Sequence, residues 1–213
     1  MADKRLNPHS PTPTSEFEII ELLRKENERL RDRLEEQKHE IERLGRLADT
    51  DGLTGLANRR HFERTLQQRF SEQQRGGPSF SLMLIDVDAF KQINDRLGHA
   101  VGDRLLQVIG DGITQNLRDC DLVFRVGGDE LAVILPNSKL RQSVLVANRL
   151  VKQLYDLLEE YHRHAAVGLS IGLVASDAKA TIADLMESAD VAMYQAKTRG
   201  GNCCVTDIDY RQN

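Results

Sequence analysis

Two pairs of acidic residues are the side chains in this sequence best suited to chemistry. Asp86 and Asp88 end the apolar run LIDVD, and strand alternation puts both carboxylates on one face. Asp129 and Glu130 follow the glycine pair Gly127–Gly128 further along the chain. If that second segment forms a hairpin beside the first strand, three or four carboxylates converge at one edge of a sheet.

Converging carboxylates need a positive partner. At about 4 Å and an effective dielectric constant near 20, each pair of like charges costs about 4 kcal/mol. Neither acidic segment contains His or Cys, so a hard ion such as Mg²⁺ fits, held by one or two carboxylates plus substrate phosphates. Two such ions about 4 Å apart would clamp the attacking and leaving oxygens of a phosphoryl transfer.

The glycine pair supports the same chemistry, because residues without side chains let backbone N–H groups approach phosphates closely. Taken alone, a Gly-Gly hairpin is more typical of a type I′ turn, and acidic strand ends are more typically solvated. The combination of glycines and acids indicates nucleotide chemistry.

The elements that must position these residues alternate between helix and strand. Apolar periodicity and turn residues predict helices over 58–74, 90–97, 101–117, 140–159 and 182–197, and strands over 80–87, 122–126, 131–135, 166–174 and 203–206. One tight hairpin joins the second and third strands. This order predicts an α/β sandwich in which a sheet is covered by helices.

The N-terminal part of the chain differs in composition. Residues 1–16 are polar and contain three prolines, which predicts a disordered tail. Residues 17–48 place apolar side chains at steps of three and four, a heptad pattern, and residues 49–213 have the size of one compact domain. The predicted seam consists of Ile20, Leu23, Asn27, Leu30, Leu34, Gln37, Ile41, Leu44 and Ala48.

A seam this narrow favours pairing with a second copy as a parallel two-stranded coiled coil, because the other faces are almost wholly charged. Asn27 falls at an a position, where a buried Asn fixes register and oligomeric state at a cost in stability. The alternative is a helix folded back on its own domain.

Composition excludes several classes of protein. A chain of 213 residues with a net charge of -4 and a pI near 5.9 is not built to coat nucleic acid or an acidic membrane. No stretch is apolar enough for a membrane span or a signal-peptide core, so we expect a cytoplasmic protein. Cys120, Cys203 and Cys204 lack metal-ligand spacing and are expected to be reduced.

Five segments follow the motif order of one known family. RVGGDEL (Arg125–Leu131) is similar to its signature, and DGLTGLANRR (Asp51–Arg60) to its entry motif. IDVDAFKQINDRLGHAVGD (Ile85–Asp103) is similar to its metal-binding and guanine-binding segment. LSIGLVAS (Leu169–Ser176) and ADVAMYQAKTRGGN (Ala189–Asn202) are similar to its closing strand and helix. The chain therefore resembles the GGDEF-domain diguanylate cyclases over nearly all of the predicted domain.

This resemblance implies a palm-like domain with a mostly antiparallel sheet, which condenses two GTP molecules into cyclic di-GMP and releases pyrophosphate. Each domain would bind one GTP, so two domains must face each other, and the coiled coil over residues 17–48 would hold a homodimer. The implied ion is Mg²⁺, which Mn²⁺ could replace. Neither a nucleic-acid partner nor a membrane span is expected.

The resemblance also implies roles for individual residues. The metal ligands are Asp86, Asp129, Glu130 and the backbone carbonyl of Val87, and Asp129 is also the base for the 3′-hydroxyl. Regular alternation aims Asp129 and Glu130 to opposite faces, so their roles could be exchanged. The substrate-binding set comprises Asn94 and Asp103 for guanine, Lys91 and Lys197 for phosphate, and the backbone at Ala89, Phe90 and Gly128 for the triphosphate.

Outside this motif context, three of these residues have simpler interpretations. Asn94 would cap a turn, Asp103 would be the N-terminal acid of a helix, and Lys197 would be a solvated cation at a helix end.

A second site is implied by the motif R-x-x-D at Arg118 and Asp121, with five residues between Asp121 and Gly127. This is the placement of the family's product-inhibition site. Arginine presents a planar fork to guanine or phosphate, and the aspartate can accept from a guanine edge. Arg149 aligns with a position that in some relatives completes this site from a neighbouring domain. Feedback binding of cyclic di-GMP is therefore expected.

Two positions depart from the family pattern. Leu131 replaces the Phe that ends the usual signature, for which we expect only a packing adjustment. Gly201 stands where many relatives have Arg, which removes a phosphate contact that Arg199 could supply, so weaker GTP binding is expected. The alternative function is a catalytically weak or inactive domain that acts as a receptor for cyclic di-GMP or GTP and signals through its helix.

Overall fold

The computed structural model describes residues 16–208, without the side chains of residues 16–18, 39–44, 46–48 and 178. The helices are α1 (Glu16–Asp49), α2 (Arg59–Gln74), α3 (Phe90–Leu97), α4 (His99–Gln115), α5 (Leu140–Leu157), α6 (Glu159–His162) and α7 (Ile182–Thr198). The strands are β1 (Ala57–Asn58), β2 (Phe80–Asp88), β3 (Leu122–Arg125), β4 (Glu130–Pro136), β5 (Gly168–Ala175) and β6 (Cys203–Thr206).

The six strands form one mixed sheet in the order β1-β3-β4-β2-β5-β6. The three central pairings, β3 with β4, β4 with β2 and β2 with β5, are antiparallel, whereas β1 and β6 add to the edges in parallel. Strand β2 is buried from Phe80 to Val87, which explains why its sequence is a continuous apolar run. The predicted α+β sandwich with a mostly antiparallel sheet is confirmed.

Alternation along β2 assigns its side chains to two apolar layers. Met83, Ile85 and Val87 pack with residues of α3, α4 and α5 on one face. Leu82 and Leu84 pack with residues of α2 and α7 on the other. By the same alternation, the two aspartates that end β2 belong to the α2 and α7 face.

The predicted elements agree with the observed ones in order and type. The helix predicted over 90–97 and the strand predicted over 203–206 have the observed bounds. The helix predicted over 140–159 ends at Leu157 and is followed by the short helix α6. Strand β1 and a 3₁₀ turn at Ser176–Ala178 were not predicted, because two or three residues are too few to show periodicity.

Contacts divide the chain into two compact units, residues 1–48 and 49–213. Four seam positions on α1 are between 47% and 59% exposed in the single chain: Ile20, Leu23, Leu30 and Leu34. The side chains of the seam positions 41, 44 and 48 lie outside the description. So does the tail predicted over residues 1–16, apart from the backbone of residue 16. Within residues 16–208, no helix is both long and apolar enough to cross a membrane.

Gly172 on β5 lets α7 lie directly on the sheet. A Cβ atom at this position would meet the backbone of Ala189 and of Met193. We expect Gly172→Ala to lower the free energy of unfolding by about 2 to 3 kcal/mol, because a packed helix backbone cannot move aside as a flexible side chain can. Urea denaturation measures this change. Gly52→Ala is the control, because a Cβ there meets nothing within 4 Å; equal stability of the two variants would contradict the interpretation.

Candidate active site

The acidic hairpin lies beside the end of β2. In the register of β2 with β4, Asp86 is directly opposite Glu130. One residue further, the Val87 N–H donates to the Asp129 carbonyl over 3.1 Å. The expectation that the hairpin and the first acidic pair meet at one edge of the sheet is therefore confirmed.

The hairpin itself is longer than a two-residue turn. Four residues, Val126 to Asp129, separate β3 from β4, and both the Val126 and Gly127 N–H groups donate to the Glu130 carbonyl, over 3.0 and 3.2 Å. Neither Gly127 nor Gly128 has a positive φ, so the type I′ turn considered from the sequence is wrong. A Cβ at Gly127 would collide with the Glu130 side chain, whereas the space around Gly128 is open.

Asp86 is 7% exposed, and its positive partner is Lys197 at the end of α7. The Lys197 Nζ lies 2.7 Å from the Asp86 Oδ2. Burial raises the pKa of Asp86; the Lys197 ammonium opposes this rise, and the charges of Asp129 and Asp88 add to it. Burial acts to lower the pKa of Lys197, but contact with Asp86 raises it. The cation that the crowded carboxylates require is thus supplied by the chain itself.

Asp88 has a different environment from Asp86. The Ser170 Oγ donates to one of its carboxylate oxygens over 2.6 Å, and the Asn202 N–H donates to the other over 2.7 Å. These bonds tie the end of β2 to β5 and to the turn that follows α7. Strand alternation alone groups Asp88 with the acidic cluster, but its carboxylate has two hydrogen-bond donors from the protein.

The same turn explains the glycine at position 201. Gly201 has a φ of 76°, and a Cβ there would lie 2.7 Å from the Asp88 Oδ2. Arg199, the candidate replacement for the missing arginine, is exposed. Burial raises the pKa of the Cys203 thiol, and the charge of Arg199 opposes part of that rise. Leu131, the other departure, is 1% exposed and belongs to the apolar layer of α4 and α5.

Arg125 fixes the hairpin from its other side. Its Nη2 donates to the Gly128 carbonyl over 2.8 Å, and its Nη1 donates to the Asp51 Oδ1 over 2.9 Å. The same Asp51 oxygen accepts from the N–H and the hydroxyl of Thr54. Asp51 and Arg125 have no individual role in the sequence-based expectations, where they are only parts of two motifs; the one available signal is an arginine two residues before Gly127.

No three His, Cys, Asp or Glu side chains among the described residues converge closely enough to hold a metal ion by themselves. Asp86 faces Glu130 across the strand pair, and the charge of Asp129 acts on Asp86. Two or three oxygen ligands without His or Cys fit a Mg²⁺ ion whose remaining ligands are water and substrate phosphates.

Helix α3 begins beside this acidic edge. Its N-cap, Ala89, has a left-handed φ of 57° and makes no side-chain capping bond. The first N–H groups of the helix, from Phe90 onward, therefore have no intrahelical acceptor and suit an anion. Lys91 is exposed in the same turn.

Asn94 lies one turn further along α3, packed against Gly102 at the start of α4. A Cβ at Gly102 would collide with the Asn94 amide oxygen. That oxygen is buried and has no hydrogen-bond partner among the described residues. Asp103, the next residue after Gly102, is exposed, so both predicted guanine-binding residues lie at the junction of α3 and α4.

The three residues of the predicted product site line one cavity of about 330 Å³ between the end of α4 and α5. The Arg118 N–H donates to the Asp121 carboxylate over 3.0 Å, which closes a tight turn. Arg149, on α5, donates to the Asn116 carbonyl over 2.7 Å. The structure therefore brings Arg118, Asp121 and Arg149 together within a single chain.

The domain is an α+β fold with a six-stranded sheet. At the centre of this sheet, an acidic hairpin that contains two glycines faces the buried Asp86. The family described as "Diguanylate cyclase, GGDEF domain" matches residues 48–203, most of the chain. The chain belongs to the GGDEF domain family.

Individual relatives agree with this assignment. The chain is 36% identical over 155 residues to the diguanylate cyclase DgcS of Shewanella oneidensis, covering 72% of this chain and 51% of that protein. It is also 36% identical to the response regulator PleD of Caulobacter vibrioides, covering 75% of this chain and 36% of PleD. The chain thus spans about half the length or less of these curated relatives.

Among solved structures, the coiled coil and GGDEF domain of DgcB from Caulobacter crescentus, in complex with c-di-GMP, superimposes with a TM-score of 0.74. The two sequences are 26% identical, and the match covers 86% of this chain and 98% of that one.

The contact between Arg125 and Asp51 gives a pH-dependent prediction. Burial acts to raise the pKa of Asp51, but hydrogen bonds from Thr54 and Arg125 outweigh it and hold the pKa below 3.8. Because the folded-state pKa is depressed, the stabilisation is present above pH 3.8 and is lost as the pH falls through the folded-state value. We expect Asp51→Asn to lower the free energy of unfolding at pH 7 by about 1 to 2 kcal/mol.

Urea denaturation between pH 7 and pH 3 measures the difference between the wild type and Asp51→Asn. It should shrink below pH 3.8. Asp111→Asn, an exposed change on α4, is the control and should show little difference at any pH. A difference for Asp51→Asn that grows towards acid pH would contradict the assignment.

Proposed function

We propose that this protein condenses two GTP molecules into cyclic di-GMP and pyrophosphate, in a reaction that depends on Mg²⁺ and that Mn²⁺ can also support. The observation that carries the proposal is the placement of Asp86 opposite Glu130, with the Asp129 carbonyl bonded to the next residue of β2. The relatives named as diguanylate cyclases support it, and so do the intact signature acids.

Asp86, Asp129, Glu130 and the backbone carbonyl of Val87 would hold the metal ion. When bound, Mg²⁺ neutralises the triphosphate and stabilises charge that develops on the reacting phosphate. The donor set fits this ion, because it offers only oxygen ligands and leaves positions for phosphate oxygens.

Lys197 changes partner in this mechanism. Without nucleotide its ammonium balances the buried Asp86 carboxylate. With nucleotide bound, the Lys197 ammonium would contact the triphosphate from the end of α7. Its side chain is 40% exposed, which leaves it room to turn.

Asn94 and Asp103 bind the guanine base, and the start of α3 binds the triphosphate. The Asp103 carboxylate can accept from guanine N1–H and N2–H₂, and the Asn94 amide can donate to O6 or N7. Lys91, the N–H groups that follow Ala89 and Phe90, and the open backbone at Gly128 complete the phosphate contacts.

Asp129 accepts the proton of the 3′-hydroxyl of the bound GTP. The 3′-oxygen then forms a bond to the α-phosphorus of the GTP on a second domain, and the bond from that phosphorus to pyrophosphate breaks. The second subunit performs the same step with the roles of the two nucleotides exchanged: its 3′-oxygen bonds to the α-phosphorus of the first GTP, and a second pyrophosphate leaves, which closes the ring. Two domains must therefore face each other, and pairing of the exposed α1 seam brings them together as a homodimer.

Cyclic di-GMP inhibits the enzyme at the cavity that contains Arg118, Asp121 and Arg149. The guanidinium groups of Arg118 and Arg149 suit guanine edges and phosphates, and both side chains are exposed. The arrangement supports participation of Arg149 from the same chain as the R-x-x-D motif.

The catalytic proposal is tested by incubating the full chain with GTP and Mg²⁺ and measuring cyclic di-GMP by chromatography. We expect product from the wild type and a rate at least about 100-fold lower for the double variant Asp129→Ala, Glu130→Ala, because the variant loses metal ligands and the base. The double variant Asp111→Ala, Asp156→Ala removes two exposed acids as a control. Equal activity of the two double variants would overturn the assignment, and binding of cyclic di-GMP without turnover would favour the receptor function.

Product inhibition predicts a separable effect of Arg118→Ala. The variant should retain its initial rate within about twofold, because Arg118 touches none of the reacting groups, while inhibition by added cyclic di-GMP weakens at least about tenfold. Progress curves with and without added product measure both quantities. Arg141→Ala, an exposed arginine on α5 outside the cavity, serves as the control. Unchanged inhibition in Arg118→Ala refutes the site.

The role of α1 predicts that deletion of residues 17–48 lowers dimer formation and activity together, since each dimer assembles two half-sites. Sedimentation with and without GTP, followed by the activity assay, measures both. A fully active monomeric truncation would contradict this role.

A further inference from the structure

A cavity of about 540 Å³ lies on the α2 and α7 face of the sheet, away from the α3 and α4 junction. Its origin is the spacing of the two helices. Helix α2 covers β1 and β3, whereas α7 covers β5, β6 and part of β2. The cavity lies between the two helices, over the part of β2 and β4 that contains Leu84 and Glu130.

The floor of this cavity is apolar and well packed. Four of its side chains are between 3% and 7% exposed: Phe62 and Leu66 from α2, Leu84 from β2 and Met193 from α7. A cavity of this size with an apolar floor is typical of small-molecule sites, which lie between about 300 and 1,000 Å³.

The rim of the cavity is acidic. Glu130, Glu187 and Asp190 have no ion-pair partner among the described side chains. Arg59 is the one cation among the described residues that line the cavity, and it is paired with Glu63, with 3.0 Å between the Arg59 Nε and the Glu63 Oε1. The free charge around the opening is therefore negative, which disfavours a fatty acid or another anion.

We propose that this cavity binds a small amphiphilic ammonium ion, with its charged head among the three carboxylates and its apolar body on the floor. Both parts of this ligand follow from the lining residues. A fully polar cation would leave the apolar floor exposed to water, and a neutral apolar molecule would leave the carboxylates without a partner.

Glu130 connects the cavity to the acidic edge of the sheet. An ammonium head on its carboxylate competes with a metal ion for the same oxygens, so the ligand acts as an inhibitor. This consequence rests on the proposed cyclase function, whereas binding itself does not.

Binding is tested by calorimetry on the full chain without GTP or divalent ions. The probes are 4-phenylbutylamine, protonated at pH 7, 4-phenylbutyrate and 4-phenylbutanol, which share one apolar body and differ in the head group. We expect the ammonium probe to bind at least about tenfold more tightly than the carboxylate probe, with the alcohol between them.

Two variant pairs locate the site. The double variant Glu187→Gln, Asp190→Asn should abolish the preference for the ammonium probe, whereas Asp156→Asn, Glu159→Gln, which removes equal charge elsewhere, should keep it. The chain has no Trp, so a single introduced one is a clean fluorescent reporter. Emission from Gln67→Trp on the rim should shift on addition of the probe, and emission from Tyr194→Trp, on the exposed side of α7, should not.

Three results would each overturn the proposal. The first is equal affinity for the three probes, and the second is no binding by the ammonium probe at about 10 mM. The third is a preference for the ammonium probe that remains in the double variant Glu187→Gln, Asp190→Asn. If these probes bind as expected while the chain makes no cyclic di-GMP, the ligand site in this cavity is supported and the proposed cyclase function is wrong.

Discussion

The antiparallel register of β2 with β4 is the constraint on which the rest of the site depends. It places Asp86 opposite Glu130 and brings the Asp129 carbonyl to the N–H of Val87. A slip of one residue would turn Asp86 into the apolar layer of α4 and α5, where a carboxylate has no partner. The apolar side chains that alternate along both strands therefore fix the acidic residues as well as the core.

Keeping these acids together requires compensation, and the surrounding structure supplies it in three ways. Lys197 neutralises Asp86, the most buried acid of the group. Asp88 accepts hydrogen bonds from Ser170 and from the backbone after α7, so its charge is stabilised by protein donors. On the other side of the hairpin, Arg125 joins the Gly128 carbonyl to Asp51. Together these contacts stabilise Asp86, Asp88 and the backbone of the hairpin.

Much of this structure could be predicted from the sequence, because the signals are local. The apolar run ending at Asp88 and the glycines before Asp129 predicted both the strand and the hairpin, and repulsion between acids predicted a positive partner. That Lys197 is this partner follows from the crossing of α7 over β2, which no local pattern contains. The same holds for the bond from Asn202 to Asp88 and for the gap between α2 and α7. Glycine spacing alone suggested a two-residue turn, but the size of the Glu130 side chain, rather than a positive φ, accounts for Gly127.

The claim that this acidic edge holds a divalent ion against a nucleotide is tested most directly by Mn²⁺ binding in the presence of a non-hydrolysable GTP analogue. Electron paramagnetic resonance of the free ion measures the affinity of the full chain. We expect Asp86→Asn to weaken Mn²⁺ binding at least about tenfold, and Asp111→Asn, an equal change of charge on the surface, to leave it unchanged. Equal affinity of the two variants for Mn²⁺ would contradict the claim.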